Sequence, residues 1–274
     1  MKNEDNNKVA LITGASSGMG KDFSLRLLDE GYMVYGAARR IEKMSDIVGA
    51  GGHTIKLDIT DDSSIIAAVD QIIKEQGRID VLINNAGYGY YGAIEDVQLE
   101  EARRHFEVNL FGLARLTQLV LPHMRKNNFG KIINISSIGG KLHTPLGSWY
   151  HATKYALEGL SDCLRFETKQ FGIDVIVIEP GGIESEWGGI AQNAVIERSG
   201  STAYSETAKG FKKIMDSVKK QKSPKVISEL VIKALKAKKP KTRYSAGTAA
   251  KPMLFMRKIL SDRMFDKLLY LMMK

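Results

Sequence analysis

Residues 8–20 read KVALITGASSGMG. A short apolar run ends in three glycines, Gly14, Gly18 and Gly20, and 21–30 then carries a helical pattern closed by Gly31. Glycines at a strand–helix junction allow a tight turn and close approach of backbone to a ligand, and the helix N-terminus favours the negative charge of a pyrophosphate. The spacing is G-x3-G-x-G rather than G-x-G-x-x-G, so the glycines alone are weak evidence. Their place in the first strand–helix unit of the chain is what points to nucleotide binding.

That unit recurs along the chain. Apolar runs at 32–37, 53–57, 79–83, 131–136 and 174–178 read as further strands, and 242–246 as a last edge strand. Helical patterns separate them at 63–76, 99–127, 150–171 and 224–238; in the first, Ile65, Ile66, Val69, Ile72 and Ile73 share one face. Strands this uniformly apolar are covered on both sides, which requires a mostly parallel sheet between two helical layers: a doubly wound α/β fold with seven strands. Residues 184–222 are polar and glycine-bearing and show no strand. Residues 247–274 form an extension whose part from 251 onward is amphipathic and basic.

With 274 residues, 43% hydrophobic and 26% charged, the chain has the balance of a globular protein with one sizeable core. The single cysteine, Cys163, excludes an internal disulfide framework and fits a reducing, cytoplasmic setting. The polar start MKNEDNNK has no apolar segment of a secretory signal, and the apolar run 268–273 falls far short of the ~18 residues of a membrane span. The formal charge of +9 is unevenly placed: residues 209–274 hold 19 of the 40 basic side chains but only Asp216, Glu229, Asp262 and Asp266 as acids. Either a solvated lysine face or an anionic partner accounts for this. No zinc spacing, RNP-like strand or helix-turn-helix accompanies the charge, so nucleic acid is not expected; the five histidines show no metal-ligand spacing, and no metal is expected.

Two further stretches carry chemistry. The second strand ends in GAARR, where the acid that would hold a free ribose 2′-hydroxyl is replaced by Ala38 followed by Arg39 and Arg40. A guanidinium suits a 2′-phosphate by charge and by its forked donors, favouring NADP(H) over NAD(H). In YHATK, Tyr150 and Lys154 are one helical turn apart on the same face. A phenol with pKa near ~10 exchanges protons poorly at neutral pH, and a cation ~4 Å away at an effective dielectric of ~20 is worth ~4 kcal/mol, enough to lower it by ~3 units. Ser136 and Ser137 close the fifth strand, at the sheet edge where such folds place ligands.

In order, TGxxxGxG, NNAG (84–87), Asn109, a serine thirteen positions before the tyrosine, YxxxK and Pro180–Gly181 resemble the motifs of the single-domain short-chain dehydrogenase/reductase family, over roughly residues 8–185. The resemblance implies one Rossmann-type domain and a catalytic set of Asn109, Ser137, Tyr150 and Lys154. In it Tyr150 is the general acid/base, Lys154 holds the nicotinamide ribose and lowers the tyrosine, Ser137 binds the substrate oxygen, and Asn109 supports a relay water. It also implies that Gly14, Ser17, Gly18, Met19 and Gly20 cradle the cofactor, with Arg39 at the 2′-phosphate, Asp58 at the adenine, and Asn85, Ala86 and Gly87 on the adenosine side. Pro180, Gly181, Ile183 and Ser185 complete that surface, Ser185 standing where the family often has threonine. The thirteen-residue spacing selects Ser137 over Ser136.

Aromatic residues near the strand ends suggest an apolar substrate pocket, with Tyr91, His143 and Trp187 as candidate contacts and 184–222 in the position of a substrate lid. The expected activity is an NADP(H)-dependent carbonyl reductase or alcohol dehydrogenase for an apolar ketone, aldehyde or alcohol. Two alternatives are a 3-oxoacyl-type reductase whose basic third docks an acidic carrier, and a non-catalytic NADP(H)-sensing regulator, which the complete catalytic set disfavours. A homodimer or homotetramer through 99–127 and 150–171 is implied by the resemblance. For the tail at 251–274, packing as a lid, docking on another subunit and peripheral contact with an anionic membrane all remain open.

Overall fold

Each apolar run becomes a strand of a single sheet: β1 Val9–Thr13, β2 Met33–Ala38, β3 His53–Lys56, β4 Val81–Asn84, β5 Gly130–Ile135, β6 Ile173–Pro180 and β7 Arg243–Ala246. The computed structural model describes residues 8–184, 186–217 and 221–273, and the side chains of all of these except 186–192 and 217. The strand order is β3-β2-β1-β4-β5-β6-β7 and every pairing is parallel, with β7 at the edge. The order reverses between β1 and β4. Crevices at the C-terminal ends of strands flanking such a switch point are where this architecture binds ligands.

Alternation along β1 shows how two cores share one sheet. Ile12 points into a layer with Phe23 and Leu27 of helix α1 (Gly18–Asp29), Ile47 of the short α2 (Ser45–Gly49) and Val231. Leu11 points the other way, toward Ile65 and Val69 of α3 (Asp62–Gln76) and toward Leu116 and Val120. The helix expected over 99–127 is divided into α4 (Leu99–Phe106), a π turn at Glu107–Phe111, and α5 (Gly112–Lys126). Gly112 sits so close to the loop before α3 that a Cβ there would lie 2.0 Å from the Ile59 carbonyl oxygen. Helix α6 (Ser148–Thr168) follows β5. Beneath the sheet edge Asn84, Asn134, Thr117 and Ser161 form a buried hydrogen-bonded row across β4, β5, α5 and α6.

The polar segment after β6 folds into α7 (Glu186–Ser199) and α8 (Ser205–Ser217). The end of α7 is stitched to the loop after β4. The Arg198 guanidinium lies 3.8 Å from the Tyr90 ring centre, and Ser199 Oγ donates to Asp96 at 2.6 Å while accepting from the Ala93 N–H at 2.9 Å. Helix α9 (Lys225–Lys236) covers α1, and the chain ends in α10 (Ala250–Ile259) and α11 (Asp262–Met273). Phe265 of α11 is fully buried against Leu142 and Leu269, and Asp266 meets His143 Nε2 at 2.8 Å. Of the three placements open to the tail, packing on its own subunit is therefore realised. No helix among the described residues is long and apolar enough to cross a membrane.

Candidate active site

Thr13, the last residue of β1, ties the two loops at the switch point together. Its Oγ1 accepts from the backbone N–H groups of Asn85 (3.0 Å) and Ala86 (2.9 Å), and Asn85 Nδ2 donates to the Thr13 carbonyl at 3.0 Å. Gly14 turns the chain with φ +69°, and a Cβ on Gly20 would stand 2.4 Å from the Gly14 carbonyl oxygen. Side chains at these two positions would break the loop. Ser17 begins α1 without capping it through its side chain, so the first helical N–H groups keep their donor capacity.

From this loop a cavity of ≈ 890 Å³ runs along the sheet edge. Gly14, Ser17, Gly18, Met19, Arg39, Asp58, Asn85, Ala86 and Gly87 line one end, and Pro180, Gly181 and Ile183 the middle. Gly20 is buried behind the loop and does not line it. Arg39 is exposed at the rim, and with Arg104 it helps hold the Asp58 carboxyl below its ordinary value, after the hydrogen bonds from Thr60. The end of a strand, an uncapped helix start and close-packed glycines fit the diphosphate of a dinucleotide. Ser185 lies outside the described residues, as does the side chain of Trp187.

At the other end, Ser137 follows β5 and Tyr150 lies on the first turn of α6, both lining the cavity. Ser137 accepts from the Gly139 N–H at 3.0 Å and forms a hydrogen bond with Tyr150 that lowers the phenol's pKa. Burial outweighs that contact and pushes Tyr150 up to about 12. The expected lowering by Lys154 is thus not what the chain alone provides. The Lys154 ammonium is turned to the Ile135 carbonyl at 2.9 Å, and its own burial brings it down to about 8 against the charge of Glu158. Asn109 stands within the π turn, buried behind the cavity. Its amide donates to the Tyr88 carbonyl (2.9 Å) and Thr153 Oγ1 (3.2 Å), and its oxygen accepts from the Tyr88 N–H (3.1 Å).

Among the substrate candidates, Tyr91 lines the cavity with its ring centre 5.4 Å from that of Tyr150 and 5.2 Å from that of Phe211. His143 does not line it. Its ring turns to α11, against Phe265 and Asp266, because the tail that claims it folds back from more than a hundred residues away.

Several contributors carry no signal in a linear reading. His151 Nε2 accepts from the Thr144 N–H at 2.9 Å, so Nδ1 carries the proton and donates to the Gly139 carbonyl at 2.8 Å; this pins the loop between Ser137 and Tyr150. His105 Nε2 donates to the Tyr88 carbonyl at 2.8 Å, with its ring 6.2 Å from that of Tyr150. The apolar end is walled by Phe211, Ile214 and Met215 of α8 and by Met253, Leu269 and Met272 of the tail. Of these walls, α8 lies within the segment 184–222 expected to form a substrate lid, and the tail's part is hinted at by its amphipathic pattern.

The short chain dehydrogenase family model matches residues 8–195. A 3-ketodihydrosphingosine reductase of Bacteroides thetaiotaomicron is 39% identical over 245 residues, covering 88% of each chain. An NADPH-dependent 3-dehydrocapnine reductase of Ornithobacterium rhinotracheale is 35% identical over 280 residues, covering 96% of each. A short-chain dehydrogenase of Streptomyces avermitilis superposes with a TM-score of 0.84 at 34% identity, over 96% of both chains.

Proposed function

Because the chain belongs to the short chain dehydrogenase family, a family of oxidoreductases that bind a nicotinamide cofactor, we propose that it is an NADPH-dependent reductase of an apolar ketone, with Tyr150 as the proton donor. The observation that carries this reading is the meeting of Tyr150 and Ser137 in a cavity that is polar and glycine-lined at one end and walled by apolar side chains at the other. The names of two relatives support the substrate class: each acts on a compound with a carbonyl at its third carbon, and one is NADPH-dependent.

In this reading Gly14, Ser17, Gly18 and Met19 hold the diphosphate at the start of α1, and Arg39 meets the 2′-phosphate. Bound there, the nicotinamide supplies the hydride that adds to the carbonyl carbon. The Ser137 hydroxyl donates to the substrate's carbonyl oxygen and stabilises the charge that develops on it. The Tyr150 O–H then gives its proton to that oxygen. A buried phenol near 12 is a reluctant donor, so the ammonium of Lys154, one turn along α6, has to stabilise the phenolate left behind. Asn109 fixes the Tyr88 backbone and Thr153 beside this pair, and the helices α7 and α8 with the tail exclude water from the apolar end.

Turnover of a long-chain 3-ketone by the purified chain, followed by NADPH oxidation, tests the reading. Tyr150→Phe is expected to lower kcat roughly 10²–10⁴-fold while NADPH affinity stays unchanged. Retained turnover would remove Tyr150 from the acid role, and a parent chain that binds no NADPH would end the reductase reading altogether.

A further inference from the structure

Six of the fifteen large apolar side chains exposed in the described structure, Phe255, Ile259, Met264, Tyr270, Leu271 and Met272, lie in the last 24 residues, so the tail is apolar on its outside as well as its inside. On α11 the inner face is spent on Phe265 and Leu269, which are buried. At 100° per residue, Met264, Leu268, Leu271 and Met272 fall within about a 100° arc beside that face. Met272 belongs to both surfaces: it lines the catalytic cavity and is still 46% exposed. The apolar wall of the cavity therefore continues through Met272 onto the outer stripe of α11. Gly210 keeps α8 against the end of α11 at this point, since a Cβ there would come within 3.0 Å of the Met273 carbonyl oxygen.

Charge says what this face meets. Both acids of the tail are already engaged, Asp262 by Arg257 at 2.7 Å and Asp266 by His143. Lys251, Lys258, Arg263 and Lys267 have no ion-pair partner among the described residues and are exposed. Lys251 and Lys258 share the outer side of α10 with Phe255 and Ile259, and Arg263 and Lys267 border the stripe on α11. Apolar side chains edged by unpaired cations match the interface of a bilayer bearing anionic headgroups.

We propose that α10 and α11 dock on an anionic phospholipid surface and that the mouth beside Met272 receives a membrane-dissolved substrate there. The second half rests on the ketone-reductase reading above; the first does not.

The test is flotation of the full chain with vesicles of phosphatidylcholine alone or mixed with phosphatidylglycerol, beside NADPH oxidation with a water-soluble ketone. Binding is expected with phosphatidylglycerol only and should weaken as salt is added. The variant with Lys251, Lys258, Arg263 and Lys267 all changed to Glu should lose partitioning roughly tenfold or more, as should Phe255→Gln combined with Leu271→Gln. Both variants should turn over the soluble ketone like the parent, which shows that they are folded. No flotation, equal flotation with neutral vesicles, or variants that float like the parent would each overturn the docking. So would a parent dimer that fails to float and that the variants dissociate, since a second copy would then cover the face. A parent that floats yet reduces no ketone would leave the docking standing and remove the reductase reading instead.

Discussion

Arg39 and His105 show how single side chains set two measurable behaviours. Arg39 stands at the cavity rim near enough to the Asp58 carboxylate to lower it, and a 2′-phosphate bound there would gain a forked donor that a 2′-hydroxyl does not need. Arg39→Ala should weaken NADPH roughly tenfold to a hundredfold and NADH hardly at all, as read by nicotinamide fluorescence titration; equal losses would dismiss the phosphate contact. His105 is fully buried and held neutral, its pKa brought down to about 4 mainly by desolvation, with the nearby Lys154 charge adding to the shift and the Tyr88 carbonyl opposing it. The folded value lies below the unfolded ~6.5, so on acidification the unfolded chain takes up the proton first, and stability is lost as pH falls from ~6.5 toward 4. Glu179, raised to about 7 chiefly by burial, acts in the opposite direction over part of that window. The difference between parent and His105→Gln in thermal unfolding across pH 4.5–7 therefore isolates the histidine. The parent should lose more stability on acidification than the variant, by up to ~3 kcal/mol.

At the scale of elements, the strands and most helices were legible because their patterns are local. The run 8–13 needs only its own apolar residues to read as a buried strand, and β1 forms at Val9–Thr13. The interruption of the 99–127 helix was not legible. A π turn at Glu107–Phe111 adds one residue to the helical path without changing composition, and its cause lies elsewhere, in the Asn109 clamp on Tyr88 and the tight seat of Gly112 on Ile59. The segment 184–222 read as polar and strandless, which holds among the described residues apart from a single bridge between Ile183 and Lys222. Its two helices, and the anchoring of α7 by Arg198 and Ser199, depend on partners about a hundred residues earlier in the chain.

For the whole molecule, the outer faces beside the catalytic helices bear on assembly. Phe111 at the end of the π turn, and Tyr155 and Phe166 on α6, are exposed, Phe166 by 84%. Large apolar side chains on helix faces without a cover favour a subunit contact. We expect a dimer through α5 and α6, separate from the tail; Phe166→Glu should yield folded monomers by light scattering, with a somewhat lower Tm that no longer rises with protein concentration. A parent that is already monomeric would rule this face out.

What the sequence determined by itself was the parallel doubly wound sheet, the glycine loop at its first junction, and the placement of Tyr150 and Lys154 on one helix face. Each of these follows from period, spacing and backbone permissiveness, which act between neighbours in the chain. The tertiary structure alone decided that the tail roofs the cavity, that His143 serves the tail rather than the site, that His151 and His105 brace the loops around Tyr150, and that the phenol stands at about 12. Burial and desolvation govern those outcomes, and they exist only once Tyr150 is enclosed by Tyr91 and Phe211, and Leu142 by Phe265.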